Sequence, residues 1–95
     1  MGYIDKRLIK RMVKTSRKKV KKFENKKEED RRKKDRERLI KSLIALTDIF
    51  EIEIDVEVEG KQVRKPINLQ NLLQQTDKFL IELFTEALDE LETVV

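Results

Sequence analysis

The sequence predicts an α+β fold: a long basic N-terminal helix or helix pair, one antiparallel β-hairpin, and a C-terminal amphipathic helix. Three patterns carry this reading. Apolar residues recur at helical spacing near the N-terminus and again from Leu69 onward. Between them, Phe50, Ile52, Ile54, Val56 and Val58 alternate with Glu51, Glu53, Asp55, Glu57 and Glu59. A glycine then follows at hairpin distance, at Gly60.

The first segment runs from about Tyr3 to Phe23. On a helix, Leu8, Ile9, Met12, Val13, Val20 and Phe23 share one side, with Ser16 among them. Lysines and arginines take the other side, and Lys19 is the one charge inside the apolar arc. Asp5 suits the positive end of the helix dipole. Glu24 to Arg38 holds no apolar residue and has nothing to bury. It is a solvated helix supported by pairs such as Glu28 with Arg32, or a charged linker. Apolar spacing resumes at Leu39, Ile40, Leu43, Ile44 and Leu46, in a helix expected to end near Thr47–Asp48. These three segments are compatible with one long helix.

Period-two alternation with β-branched residues on one face marks Phe50–Val58 as a half-buried strand. A Gly60–Lys61 turn would pair Val58 with Val63, Glu57 with Arg64 and Ile54 with Ile67, leaving Val56 opposite Lys65. Pro66 fits an edge strand, because it has no N–H to donate. Asn68 is a natural N-cap for the last segment, Leu69 to Glu92. That segment carries a broad Leu/Phe stripe, and Thr76–Asp77 is a place where it can divide in two. Helix–hairpin–helix order resembles that of prefoldin-type subunits in topology alone: the helices here are unequal and the first half lacks a continuous apolar seam.

The 95 residues suffice for one small domain, read as a charged helical arm over 1–38 and a helix–hairpin–helix body over 39–95. With 44% of residues charged and 38% hydrophobic, the core is thin. If the helices flanking the hairpin pack antiparallel, Leu39 reaches the region of Asp77 and the stripe beyond it faces only charge. Leu80, Leu83, Phe84, Leu88 and Leu91 are therefore the expected interface, each large side chain worth about 1.5–3 kcal/mol when buried. A second copy, a partner protein or the folded-back N-terminal helix would serve as cover, and a homodimer is the expectation.

The net charge of +4 conceals an asymmetry. Through Lys41 there are 19 Lys and Arg against 7 Asp and Glu; from Ser42 onward, 4 against 12. Such a split points to a polyanionic partner or to contact between the halves. Lys10, Lys14, Arg17, Lys18, Lys21 and Lys22 are the candidate phosphate contacts, with a second patch at Arg31, Arg32, Lys33 and Lys34. Aromatic residues make up 5% of the chain, too few for a base-stacking platform, so contact should run to the backbone.

Without histidine or cysteine, the chain has no imidazole or thiol chemistry and no zinc site built on those ligands. No acid–base pair or phosphate-cradling glycine loop occurs, so no catalytic residue, metal or cofactor is expected. The reading is a non-enzymatic, cytoplasmic accessory protein whose basic helix contacts nucleic acid or a nucleoprotein complex, with a dimerising C-terminal body. The alternative is a protein-only adaptor, assembly factor or inhibitor that docks its amphipathic helices on a partner protein. A membrane-surface role, with Leu8, Met12 and Phe23 dipping into lipid, ranks third.

Overall fold

A computed structural model describes residues 5–30 and 33–94 of the chain. Its elements run α1 (Lys6–Asn25), a 3₁₀ turn (Glu28–Asp30), α2 (Lys33–Ala45), a 3₁₀ turn (Leu46–Asp48), β1 (Glu53–Val58), β2 (Lys61–Pro66), α3 (Leu69–Leu73) and α4 (Asp77–Val94). The α+β architecture expected from the sequence is the one observed. The start assigned to the first helix, at Tyr3, lies outside the described residues.

Asp5 caps α1 by accepting a hydrogen bond from the Arg7 backbone N–H at 2.9 Å. The helix does not continue into α2. Lys26 turns extended (φ −74°, ψ 144°) and its N–H returns to the Phe23 carbonyl at 3.2 Å. Asn25, a weak helix former, is the last helical residue. Of the two expected arrangements, one long helix or a helix pair, the structure has the pair, joined by a bend, with the second helix starting at Lys33 inside the all-charged stretch. The physical reason is the stripe on α4. A straight helix would leave that stripe wet, whereas the bend returns α1 over it.

Ile9, Val13, Ser16, Val20 and Phe23 of α1 are buried, as are Leu80, Phe84, Ala87, Leu88 and Leu91 of α4. Phe84, Leu88 and Leu91 are 0% exposed within the single chain. The residues expected to seek a second copy therefore have their cover already, in the N-terminal helix. Leu83 is half-buried beside this core. The premise behind the homodimer, an uncovered stripe, does not hold.

The start of α2 meets the junction of α3 and α4 near the expected level. Arg36, one turn before Leu39, has its Nε 3.0 Å from Asp77 Oδ1 and donates from Nη1 to the Leu73 carbonyl at 3.0 Å. Leu39, Ile40 and Leu43 complete the core from α2.

In the hairpin the register is Val58↔Lys61, Val56↔Val63, Asp55↔Arg64 and Ile54↔Lys65. Partners are displaced by two from the expected pairing. The turn is Glu59–Gly60, with φ of 52° and 79°, left-handed at both positions as a type I′ turn requires. A displacement of two keeps every side chain on its face. It also sets Val63 opposite Val56, and the ladder extends inward through the Ile67 N–H to the Ile52 carbonyl at 3.0 Å. Ile52, Ile54 and Ile67 are buried at the base, while Val58 and Val63 stand out at the tip. Asn68 caps α3 in a reciprocal capping box with Asn71. Thr76 divides the last segment, its Oγ1 accepting from the Phe79 N–H at 3.1 Å.

Candidate nucleic-acid interface

Between Asp5 and Glu24 the chain holds ten Lys and Arg and no carboxylate. Folding fixes where they point. Burial of Ile9, Val13, Val20 and Phe23 commits one side of α1 to the core, so Lys10, Lys14, Lys18, Lys21 and Lys22 are all exposed. Lys10, Lys14, Lys18 and Lys22 stand four apart and form a single like-charged row. Such a row destabilises an isolated helix by a few tenths of a kcal/mol per pair. Packing against α4, not helix propensity, is what holds α1 in shape.

Arg17 differs from its neighbours. Its Nη2 is 2.7 Å from Asp89 Oδ1, and Nε and Nη2 grip both oxygens of Glu92 at 3.0 Å. The hydrogen bonds it donates, to Glu92 first and Asp89 second, raise the guanidinium above its already high ordinary pKa. Among the described residues, Arg17 is the one expected phosphate contact tied into this fork. Here the basic and acidic halves meet, through the acidic edge of α4. Glu51, Glu53, Asp55, Glu57 and Glu59 of the strand face stay exposed, and Asp55 faces Arg64 of the same hairpin at 3.6 Å.

Of the second patch, Lys33 and Lys34 are exposed at the start of α2. Arg31 and Arg32 lie outside the described residues. The bend after α1 places the end of that helix beside α2, and a cleft of about 490 Å³ opens between them. Lys19, Lys22, Lys26, Arg38 and Lys41 rim it, Phe23 and Leu39 form its floor, and Ser42 also lines it. Asp35 is the one carboxylate among the lining residues, 2.6 Å from Lys26 Nζ.

Only Lys22 of this rim was among the expected contacts. The others had a signal in the sequence. Lys19, Lys22 and Lys26 are spaced by three and four, as are Lys34, Arg38 and Lys41, which is same-face spacing on a helix. Lys19, the lone charge in the apolar arc of α1, sits there because that flank faces the cleft and not the core. What spacing does not reveal is that the two ridges confront each other.

Chemically, the arrangement offers a cationic surface that continues from the outer side of α1 into a recess. Among the described residues no group of three or more acidic side chains is placed to hold a metal ion, and no helix is long and apolar enough to cross a membrane. Phe23, one of the residues a membrane-surface role would insert, is in the core. Comparison with family models, curated proteins and solved structures finds no match to this chain.

Proposed function

We propose that this chain is a non-enzymatic accessory protein that binds the phosphate backbone of nucleic acid, free or within a nucleoprotein complex, through the outer face of α1 and the facing ridge of α2. One observation carries this reading. The fold presents an uninterrupted like-charged row on α1 and adds to it a second basic ridge, while of the α1 cations among the described residues the carboxylates at the end of α4, Asp89 and Glu92, pair with Arg17. A row of this kind costs helix stability, and a polyanion relieves that cost while releasing its own counterions. The cysteine-free composition suits a reducing cytoplasm.

The adaptor alternative draws less support. It needs the apolar faces of α1 and α4 for a partner, and those faces are buried against each other.

Binding of the full chain to a generic duplex and to a single strand, at low and moderate salt, tests the proposal. Affinity should fall steeply with salt, with a log–log slope on duplex of about −0.9 per phosphate contacted. Reversing Lys14, Lys18 and Lys21 to glutamate should abolish binding while leaving the circular dichroism spectrum unchanged. Absence of binding at low salt would rule nucleic acid out as a direct ligand.

A further inference from the structure

We infer that the cleft between α1 and α2 is a site for a compact oligophosphate, three linked phosphates held between the two basic ridges. This rests on the reading of these cations as phosphate ligands and gives the cleft a ligand of its own. Three features carry it. First, the cations converge. Lys19, Lys22 and Lys26 on α1 meet Arg38 and Lys41 on α2 around a recess of about 490 Å³, within the roughly 300–1,000 Å³ of small-molecule sites. Ser42 adds a hydroxyl donor to the wall. Lys10, Lys14 and Lys18, by contrast, stand in line on one exposed helix face, which suits phosphates strung along a backbone. Second, the recess carries excess charge. Lys26 is paired with Asp35, the one carboxylate of the lining, at 2.6 Å. Lys19, Lys22, Arg38 and Lys41 are exposed, and among the described residues no carboxylate forms an ion pair with them. Five cations less one carboxylate leave a formal +4. One phosphate group brings only about −1.5 to −2; three linked phosphates answer the whole charge and reach both ridges at once. Third, Phe23 and Leu39 close the bottom as packed carbon, each 4% exposed. They offer no surface to a base or an acyl chain. Instead they keep water from one side of the cations, and a low-dielectric wall strengthens the field in a cleft lined by one sign of charge. A second recess, about 460 Å³ beside Lys10, Lys14 and Arg17, lacks this excess, because Glu92 lies in its wall and holds Arg17 at 3.0 Å.

Isothermal titration calorimetry of the full chain with inorganic triphosphate, in magnesium-free buffer at moderate salt, reads the site directly. One equivalent should bind per chain, and orthophosphate should bind more weakly than triphosphate. Lys19→Ala/Arg38→Ala should weaken triphosphate binding by about tenfold or more, the loss expected when charged hydrogen bonds are removed. Lys10→Ala/Lys14→Ala, on the outer face, should weaken duplex binding but move triphosphate affinity by no more than about twofold, because solvent screens those charges from the cleft. All four residues are exposed, so both variants should keep the wild-type circular dichroism spectrum and thermal midpoint. Competition with a single-stranded RNA bearing a 5′-triphosphate, against the same RNA with a 5′-hydroxyl, separates the sources of the ligand. Stronger displacement by the first places an RNA end in the cleft; equal displacement leaves the free anion as its ligand. Several equivalents per chain, no saturable binding, or an affinity unmoved by Lys19→Ala/Arg38→Ala would overturn the inference and leave duplex binding through the α1 row standing. Triphosphate binding without binding to duplex or single strand would overturn the proposed function alone, and failure to bind any of them would overturn both.

Discussion

Arg17 on α1 reaches Asp89 on α4 at 2.7 Å, and the same guanidinium grips Glu92 with two nitrogens. The last turn of α4 carries no basic residue of its own, and its carboxylates sit at the negative end of the helix dipole. Arg17 supplies the missing cation from seventy-odd residues earlier in the chain. The contact orients α1 on α4, yet it lies in the open, with the carboxylates more than half exposed.

Exposure decides its energetic weight. Arg17→Ala should cost less than about 1 kcal/mol in urea unfolding, and less still at high salt. Its charge is raised in pKa by its partners, so the contribution is present across acid and neutral pH as far as the guanidinium is concerned. On the guanidinium's side it is lost as strongly alkaline pH passes the raised value. Arg36→Ala should cost more, about 1.5–3 kcal/mol, since it breaks a part-buried, charge-assisted bond to the Leu73 carbonyl. If the two variants unfolded at the same urea concentration, the ranking by burial would be wrong.

Binding should separate Arg17 from its neighbours in the opposite sense. Lys14→Ala and Lys18→Ala should each lower the salt slope on duplex DNA by about 1. Arg17→Ala should lower it less, because its charge is already shared with two carboxylates. Asp89→Asn/Glu92→Gln frees Arg17 and should tighten binding. A weaker complex in that double variant would count against the arrangement.

Phe84→Ala tests the fold-back. Phe84 is fully buried between helices, and its truncation should cost about 3–5 kcal/mol. For a small domain whose whole stability is about 5–15 kcal/mol, that should lower the thermal midpoint markedly and loosen α1 with it. Amide exchange along α1 should rise in step; protection unchanged in α1 would show that it does not depend on this contact.

Oligomeric state follows from the same packing. Sedimentation of the full chain should give a monomer, because one copy closes its own core. A dimer would be evidence that α1 crosses to a second copy about the bend at Lys26, leaving the α1–α4 contacts intact between subunits.

The hairpin turn stores a small, removable strain. Glu59 adopts φ 52° without being glycine, and Asn is favoured at that place in a type I′ turn. Glu59→Asn should raise stability, by a fraction of the roughly 1–2 kcal/mol that a left-handed residue costs. Gly60→Ala should lower it by about 1–2 kcal/mol, a purely conformational cost, since nothing lies within 4 Å of an added Cβ there. Chemical denaturation of both variants decides the matter.

Local chemistry was enough to write most of the secondary structure. Alternation fixed the faces of β1, Asn68 announced α3, and Thr76 announced the division before α4, because each depends on groups a few residues apart. The basic character of the candidate site was equally plain from charge alone. Tertiary structure decided the rest. It bent the chain at Lys26, chose α1 as the cover for Phe84, Leu88 and Leu91, moved the turn to Glu59–Gly60, and set Lys19 and Lys22 across a recess from Arg38 and Lys41. Each of these turns on a contact between distant segments, where the apolar area buried outweighs a few local hydrogen bonds. Periodicity records which face of a helix is apolar; only packing determines what that face meets.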